Sequence, residues 1–130
     1  MTAKVERWLP TKTALAIHEE QIREYGGSTG VRDAGLLESA IARAQNLAAY
    51  GEPDLAELAA AYAFGIARNH PFVDGNKRTA FVTAGMFLLR NGASLNVAEA
   101  EVVVVFNDLA AGKLTEAELA AWYRRHLSDA

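Results

Sequence analysis

The sequence predicts an all-α domain, a bundle of about six helices, and three observations carry that reading. Alanine and leucine, the strongest helix formers, are abundant. The three prolines, Pro10, Pro53 and Pro71, each stand where a helical pattern breaks. Apolar residues recur at helical spacing along most of the chain, and the one β-branched run has no second strand candidate beside it.

The first helix is read over residues 11–24, opened by Pro10-Thr11 and ended by Gly26-Gly27. Leu15, Ile17 and Ile22 supply part of its apolar face. After a loop at 28–32, a second helix runs from Ala34 to about Asn46, with Leu37, Ala40, Ile41 and Ala44 at helical spacing. Gly51-Glu52-Pro53-Asp54 reads as a turn and helix start, since a helix N-terminus does not need the N–H that proline lacks. The third helix follows from about Asp54 to Asn69, with a face of Leu55, Leu58, Ala59, Tyr62, Ala63 and Ile66. His70 to Gly75 is a loop. The fourth helix runs from Asn76 to about Asn91-Gly92, is apolar on nearly every side from Ala80 to Leu89, and is therefore expected to be buried and central. Val102 to Phe106 has strand propensity, but its flanks, Ala98-Glu99-Ala100-Glu101 and Leu109-Ala110-Ala111, favour a helix. Thr115 and Glu118 form a capping-box pattern at the start of a last helix, Glu116 to Leu127.

Composition narrows the function. The chain has 130 residues, which fits one domain over residues 1–130. It contains no cysteine, which removes disulfides, thiolate catalysis and cysteine-ligated metal sites. A formal net charge of -3 argues against nucleic-acid binding through a broad basic surface. The opening MTAKVERWLPTK has no apolar core of signal-peptide length, and no apolar stretch approaches a membrane span. A cytoplasmic protein with no direct nucleic-acid or membrane partner is expected, in which any phosphate chemistry comes from a few placed groups.

Those groups lie in one segment, His70-Pro71-Phe72-Val73-Asp74-Gly75-Asn76-Lys77-Arg78. It bridges two helices, and its basic half falls on the first turn of the fourth. The unpaired N–H groups and positive dipole end of such a turn form an anion site. Gly75 lets backbone approach a ligand closely. Lys77 and Arg78 add positive charge for phosphate oxygens. Their place at the helix end where the dipole disfavours cations makes sense if an anion sits there. Asp74 suits magnesium, which takes few carboxylates and keeps phosphate and water ligands. His70 suits a general base. Taken singly, each of these residues has a bland reading as a cap, a solvated charge or a structural histidine.

The segment resembles the signature of the Fic superfamily, His-x-Phe-x-(Asp/Glu)-Gly-Asn-(Gly/Lys)-Arg. Lys77 at the penultimate position looks like the Doc branch, whereas the AMP-transferring branch has glycine there. Ile17-His18-Glu19-Glu20, Tyr25-Gly26-Gly27, Gly30-Val31-Arg32-Asp33, Leu36-Leu37-Glu38-Ser39-Ala40 and Phe87-Leu88-Leu89-Arg90-Asn91-Gly92 also look like Doc. Val82, a turn beyond the motif, departs from the pattern, being apolar where a Doc protein has a polar residue.

The resemblance implies an all-α Fic/Doc-like fold and a toxin of a type II toxin–antitoxin pair. Doc-like toxins transfer the γ-phosphate of ATP to a threonine of elongation factor Tu and block translation. Carried over by position, His70 would activate the target hydroxyl and Asp74 would hold Mg2+. Gly75, Asn76, Lys77 and Arg78 would bind the triphosphate, and Phe72 would anchor the loop in the core. In this branch the lysine fills the room beside the helix end, and the nucleotide binds in the reverse sense, γ-phosphate toward the nucleophile. The alternatives are AMP transfer to a target hydroxyl and a catalytically silent Fic-fold binding module. No inhibitory [ST]-x-x-x-E-[GN] helix occurs in the sequence, so restraint is expected in trans, from a Phd-like antitoxin whose disordered tail folds as a helix in a groove.

Other signals carry less. No Walker pattern or kinase-type glycine loop is present. Gly26-Gly27-Ser28-Thr29-Gly30 reads as a helix stop and turn, and His18-Glu19-Glu20 as a surface face. Arg124-Arg125-His126 complements the dipole of a last helical turn, and Trp122 and Tyr123 read as packing. Arg32-Asp33 either caps the second helix or sends Arg32 across to the active site, and spacing does not decide between them.

Overall fold

The computed structural model describes residue 5 and residues 7–129. Six helices account for most of them: α1 (Thr11–Tyr25), α2 (Ala34–Tyr50), α3 (Leu55–Asn69), α4 (Asn76–Arg90), α5 (Glu99–Ala110) and α6 (Glu116–His126). The termini follow local chemistry. The Asp33 carboxylate accepts the Leu36 amide at the start of α2. Asp54 with Glu57, and Thr115 with Glu118, form complete capping boxes on α3 and α6. α2 runs on past Asn46 to Tyr50, because nothing in Leu47-Ala48-Ala49 opposes helix, and it stops at Gly51.

α3 lies innermost, against α2, α4, α5 and α6. Ala56, Ala59, Ala60, Ala61, Ala63 and Ala67 are all buried, so α3 presents a small surface in every direction and its neighbours close around it. At Gly65 the approach is tightest: a Cβ there would stand 3.0 Å from both Cα and Cβ of Ala40 in α2. The helix that follows the motif is buried less completely than its apolar run suggests. α4 buries the stripe Thr79, Ala80, Thr83, Ala84, Phe87 and Leu88, while Phe81, Val82 and Met86 are half-buried and Leu89 is exposed. It flanks the enclosed helix and has one face on α3.

Aromatic rings fill the spaces the alanines leave. Phe87 packs on Tyr62 and Trp8, with ring centroids at 4.9 and 5.9 Å, and Phe106 joins Phe81 to Trp122. The buried Tyr62 hydroxyl accepts the Leu9 amide at 3.1 Å. The valine run of α5 is helical as expected. Phe106 and Leu109 face the core from it, while Val103 and Val104 face solvent. One feature has no counterpart in the sequence reading. β1 (Ala93–Leu95) and β2 (Leu127–Asp129) pair antiparallel, with Ser94 opposite Ser128. Each has three residues, too few for an alternating pattern, and the second takes the place of the last residue assigned to the final helix. Among the described residues, no helix is long and apolar enough to cross a membrane.

Candidate active site

The motif loop is held from both sides. α3 ends at His70, whose backbone lies in the left-handed region at φ 49°, ψ 56° while its N–H still donates to the Ile66 carbonyl. Pro71 cannot continue the helix. Phe72 then turns inward and is 1 % exposed. Its ring stacks on that of His18 in α1, centroids 3.8 Å apart and nearly parallel. The His18 Nε2–H donates to the Asp74 carbonyl at 2.8 Å, which places the proton on that nitrogen. His18 is 4 % exposed and supports the loop from below, so it is not part of the surface face the sequence suggests. Periodicity could not show this, because the ring's partners lie more than fifty residues away.

The segment Gly30–Asp33 forms the opposite wall. Val31 and Phe72 make an antiparallel bridge, the Val73 amide donates to Gly30, and the Arg32 and Asp33 amides both donate to the Pro71 carbonyl. Arg32 and Asp33 divide the two roles left open by the sequence. Asp33 caps α2, and the Arg32 guanidinium donates to the carbonyls of His70 at 2.7 Å and Asn69 at 2.8 Å.

The carboxylate of Asp74 is exposed and accepts two backbone amides, Ser28 on Oδ2 at 3.1 Å and Gly75 on Oδ1 at 2.9 Å. A Cβ at Gly27, whose φ is +118°, would stand 2.7 Å from Asp74 Oδ2, so glycine is required for that approach. Gly26-Gly27 is therefore both a helix stop and a seat for this carboxylate. The Ser28 and Gly75 amides, with Arg78 and His18 nearby, hold the Asp74 carboxyl below its ordinary 3.8. A lowered folded-state pKa adds stability that is present above about pH 4 and lost as pH falls through the lowered value. An NMR titration should find Asp74 still ionised at pH 3.8, and half-protonation at or above that pH would contradict the loop geometry.

Gly75, also left-handed, precedes α4 without a side-chain cap, and the first amide of the helix to find a backbone partner is that of Thr79. The amides of Asn76, Lys77 and Arg78 are left to face outward at the positive end of the helix. The Asn76 side chain is committed elsewhere. Its Oδ1 accepts the Phe72 amide at 2.9 Å and its Nδ2 donates to the Phe72 carbonyl at 3.0 Å, clamping the loop onto the helix. Both cations have structural partners that the sequence did not reveal. Lys77 Nζ donates to Asn107 Oδ1 of α5 at 2.8 Å, and the Arg78 guanidinium lies 4.5 Å from the centre of the Tyr25 ring. Both remain exposed, as does His70, whose ring has no hydrogen-bond partner among the described residues. A cavity of about 350 Å³ opens beside the motif between α1 and the 29–31 segment, lined by Leu15, His18, Ile22 and Val31 among others.

The remaining polar signals are structural. Arg124 pairs with Asp54 at 2.8 Å, tying α6 to the capped end of α3, and His126 meets Glu101 at 3.0 Å. Trp122 is buried and donates from Nε1 to Glu101 at 2.7 Å.

One buttressed loop leads from an imidazole at a strained helix end, past an ionised carboxylate, to a cationic helix N-terminus, the order of groups in the Fic signature. The family model of the Fic/DOC family matches residues 8–88, and the chain belongs to that family. Within it, the chain is similar to Protein kinase doc of Escherichia phage P1, 42 % identical over 90 residues that cover 68 % of this chain and 71 % of the relative. It is also similar to Toxin Doc of Mycolicibacterium smegmatis, 50 % identical over 74 residues, 55 % of this chain and 56 % of that one.

Proposed function

We propose that the chain is a Doc-type toxin that transfers the γ-phosphate of ATP to a hydroxyl of a target protein. The observation that carries this reading is the first turn of α4, which bears Lys77 and Arg78, whose first amides have no partner among the described residues, and which the clamped loop joins to His70. Phosphoryl transfer asks mainly for positioning and charge neutralisation, and this turn offers both. Gly75 turns the chain into the helix with its own N–H held by Asp74, the amides that follow it are open to the phosphates, and Arg78 and Lys77 meet their oxygens. Asn76 contributes its backbone amide and the rigidity of its clamp, its side chain being engaged by Phe72.

Asp74 fits magnesium as a single ligand. It is ionised and exposed, with each oxygen accepting one amide and lone pairs remaining toward solvent. The ion would neutralise phosphate charge, taking its other ligands from phosphate and water. His70 takes the proton of the target hydroxyl, whose oxygen forms a bond to the γ-phosphorus. The bond from that phosphorus to the β–γ bridging oxygen breaks, and ADP leaves with the electron pair. The names of the two relatives support the kinase and toxin readings. A threonine of elongation factor Tu is the proposed acceptor, a Phd-like antitoxin the proposed restraint, and the cytoplasm the proposed compartment.

The test uses ATP labelled at either the α or the γ phosphate, with magnesium and elongation factor Tu. Transfer of γ label alone, to threonine, is the expected result. Transfer of α label replaces this reading with AMP transfer. Absence of any transfer by a protein that still binds its antitoxin tightly leaves a silent binding module.

A further inference from the structure

Two successive carbonyls, those of Asn69 and His70, are held by one guanidinium. Arg32 donates from Nη2 to the first at 2.8 Å and from Nε to the second at 2.7 Å. The Asn69 carbonyl belongs to the peptide plane before the His70 Cα, and the His70 carbonyl to the plane after it. The angle between those planes is set by φ and ψ of His70. A rigid planar fork that grips both therefore fixes the dihedral pair, and with it the direction of the Cα–Cβ bond. The pair it fixes, φ 49° and ψ 56°, is uncommon for any residue with a side chain, and His70 is the one such non-glycine residue among those described. The ring is exposed and has no hydrogen-bond partner among the described residues, so its direction follows from the backbone. Arg32 is itself anchored, its amide donating to the Pro71 carbonyl at 2.7 Å.

We infer that Arg32 is a positioning residue that aims the His70 imidazole by holding the peptide planes on either side of it. The catalytic part of this inference rests on the reading of His70 as the base; the conformational part does not. Lysine cannot substitute, because a single ammonium does not present two fixed donors to two carbonyls.

The test compares Arg32→Ala, Arg32→Lys and His70→Ala with the parent protein. The one-bond coupling between the α carbon and the α proton of His70 separates a positive φ from a negative one. In both Arg32 variants it is expected to leave the left-handed value, with the rest of the amide spectrum retained. An unchanged coupling overturns the inference. In the transfer assay, Arg32→Ala is expected to lower kcat about 100-fold with the KM for ATP unchanged, the cost of a misplaced reacting group. A raised KM at unchanged kcat overturns it by placing Arg32 on the nucleotide. An active His70→Ala protein removes the base assignment alone, and the coupling still decides whether Arg32 orients residue 70.

Discussion

His70→Ala is expected to lower the rate of phosphoryl transfer by about 10²–10⁴-fold, the range a positioned general base supplies. Stability should stay within about 1 kcal/mol of the parent, because histidine and alanine both carry a Cβ and meet the left-handed backbone alike. The two expectations separate because of where the residue sits. Its backbone ends α3 and carries hydrogen bonds from Arg32 and to Ile66, and alanine keeps all of these. Only the ring is removed, and the ring is exposed without a hydrogen-bond partner among the described residues. Growth of a host expressing the variant, read beside a thermal melt, checks both. A folded His70→Ala protein that still arrests growth would assign the proton transfer to another group.

Phe72→Ala is expected to have the opposite signature. Truncating a buried phenylalanine costs about 3–5 kcal/mol, a large part of the about 5–15 kcal/mol that holds a domain folded. Here the ring is 1 % exposed and lies face to face with His18. Its removal also strips the apolar cover from a histidine whose Nε2–H holds the Asp74 carbonyl. The loop should therefore lose its seat together with the stability. Urea denaturation gives the first quantity, and loss of transfer at temperatures where the variant is still folded gives the second. A variant as stable as the parent would mean that Phe72 does not anchor the loop. Phe72→Leu, which keeps apolar volume but not the stacked face, should fall between the two.

The contrast shows how unequally the nine-residue segment was legible. The identities of its chemical groups, and their place on a loop entering a helix N-terminus, follow from residues adjacent in the chain. The capping boxes at Asp54 and Thr115 were legible for the same reason, each being a pattern three residues long. The valine run of α5 was legible as helix because its flanks outweighed its own propensity and no partner strand was at hand. What could not be read was anything that depends on a residue far along the chain. The sequence reads His18 as one surface face with Glu19 and Glu20, and those two are exposed, yet the histidine is covered by a ring 54 positions later. Lys77 and Arg78 looked like cations without a structural partner, whereas Asn107 and Tyr25 hold them. The β1–β2 pair was invisible because three-residue strands carry no periodicity.

The sequence by itself determined an all-α domain and one loop bearing an imidazole, a carboxylate and two cations before a helix, because helix propensity, caps and chain-adjacent chemistry act over a few residues. Only the tertiary structure decided which helix is enclosed, and the reason is steric. The alanines of α3 let four neighbours approach from all sides, while α4, for all its apolar run, is left with one face outward. Only the tertiary structure, too, decided what Arg32 does. Its place between the end of α3 and the start of α2 exists once those two ends meet, and there a planar cation finds two carbonyls that no other group among the described residues satisfies.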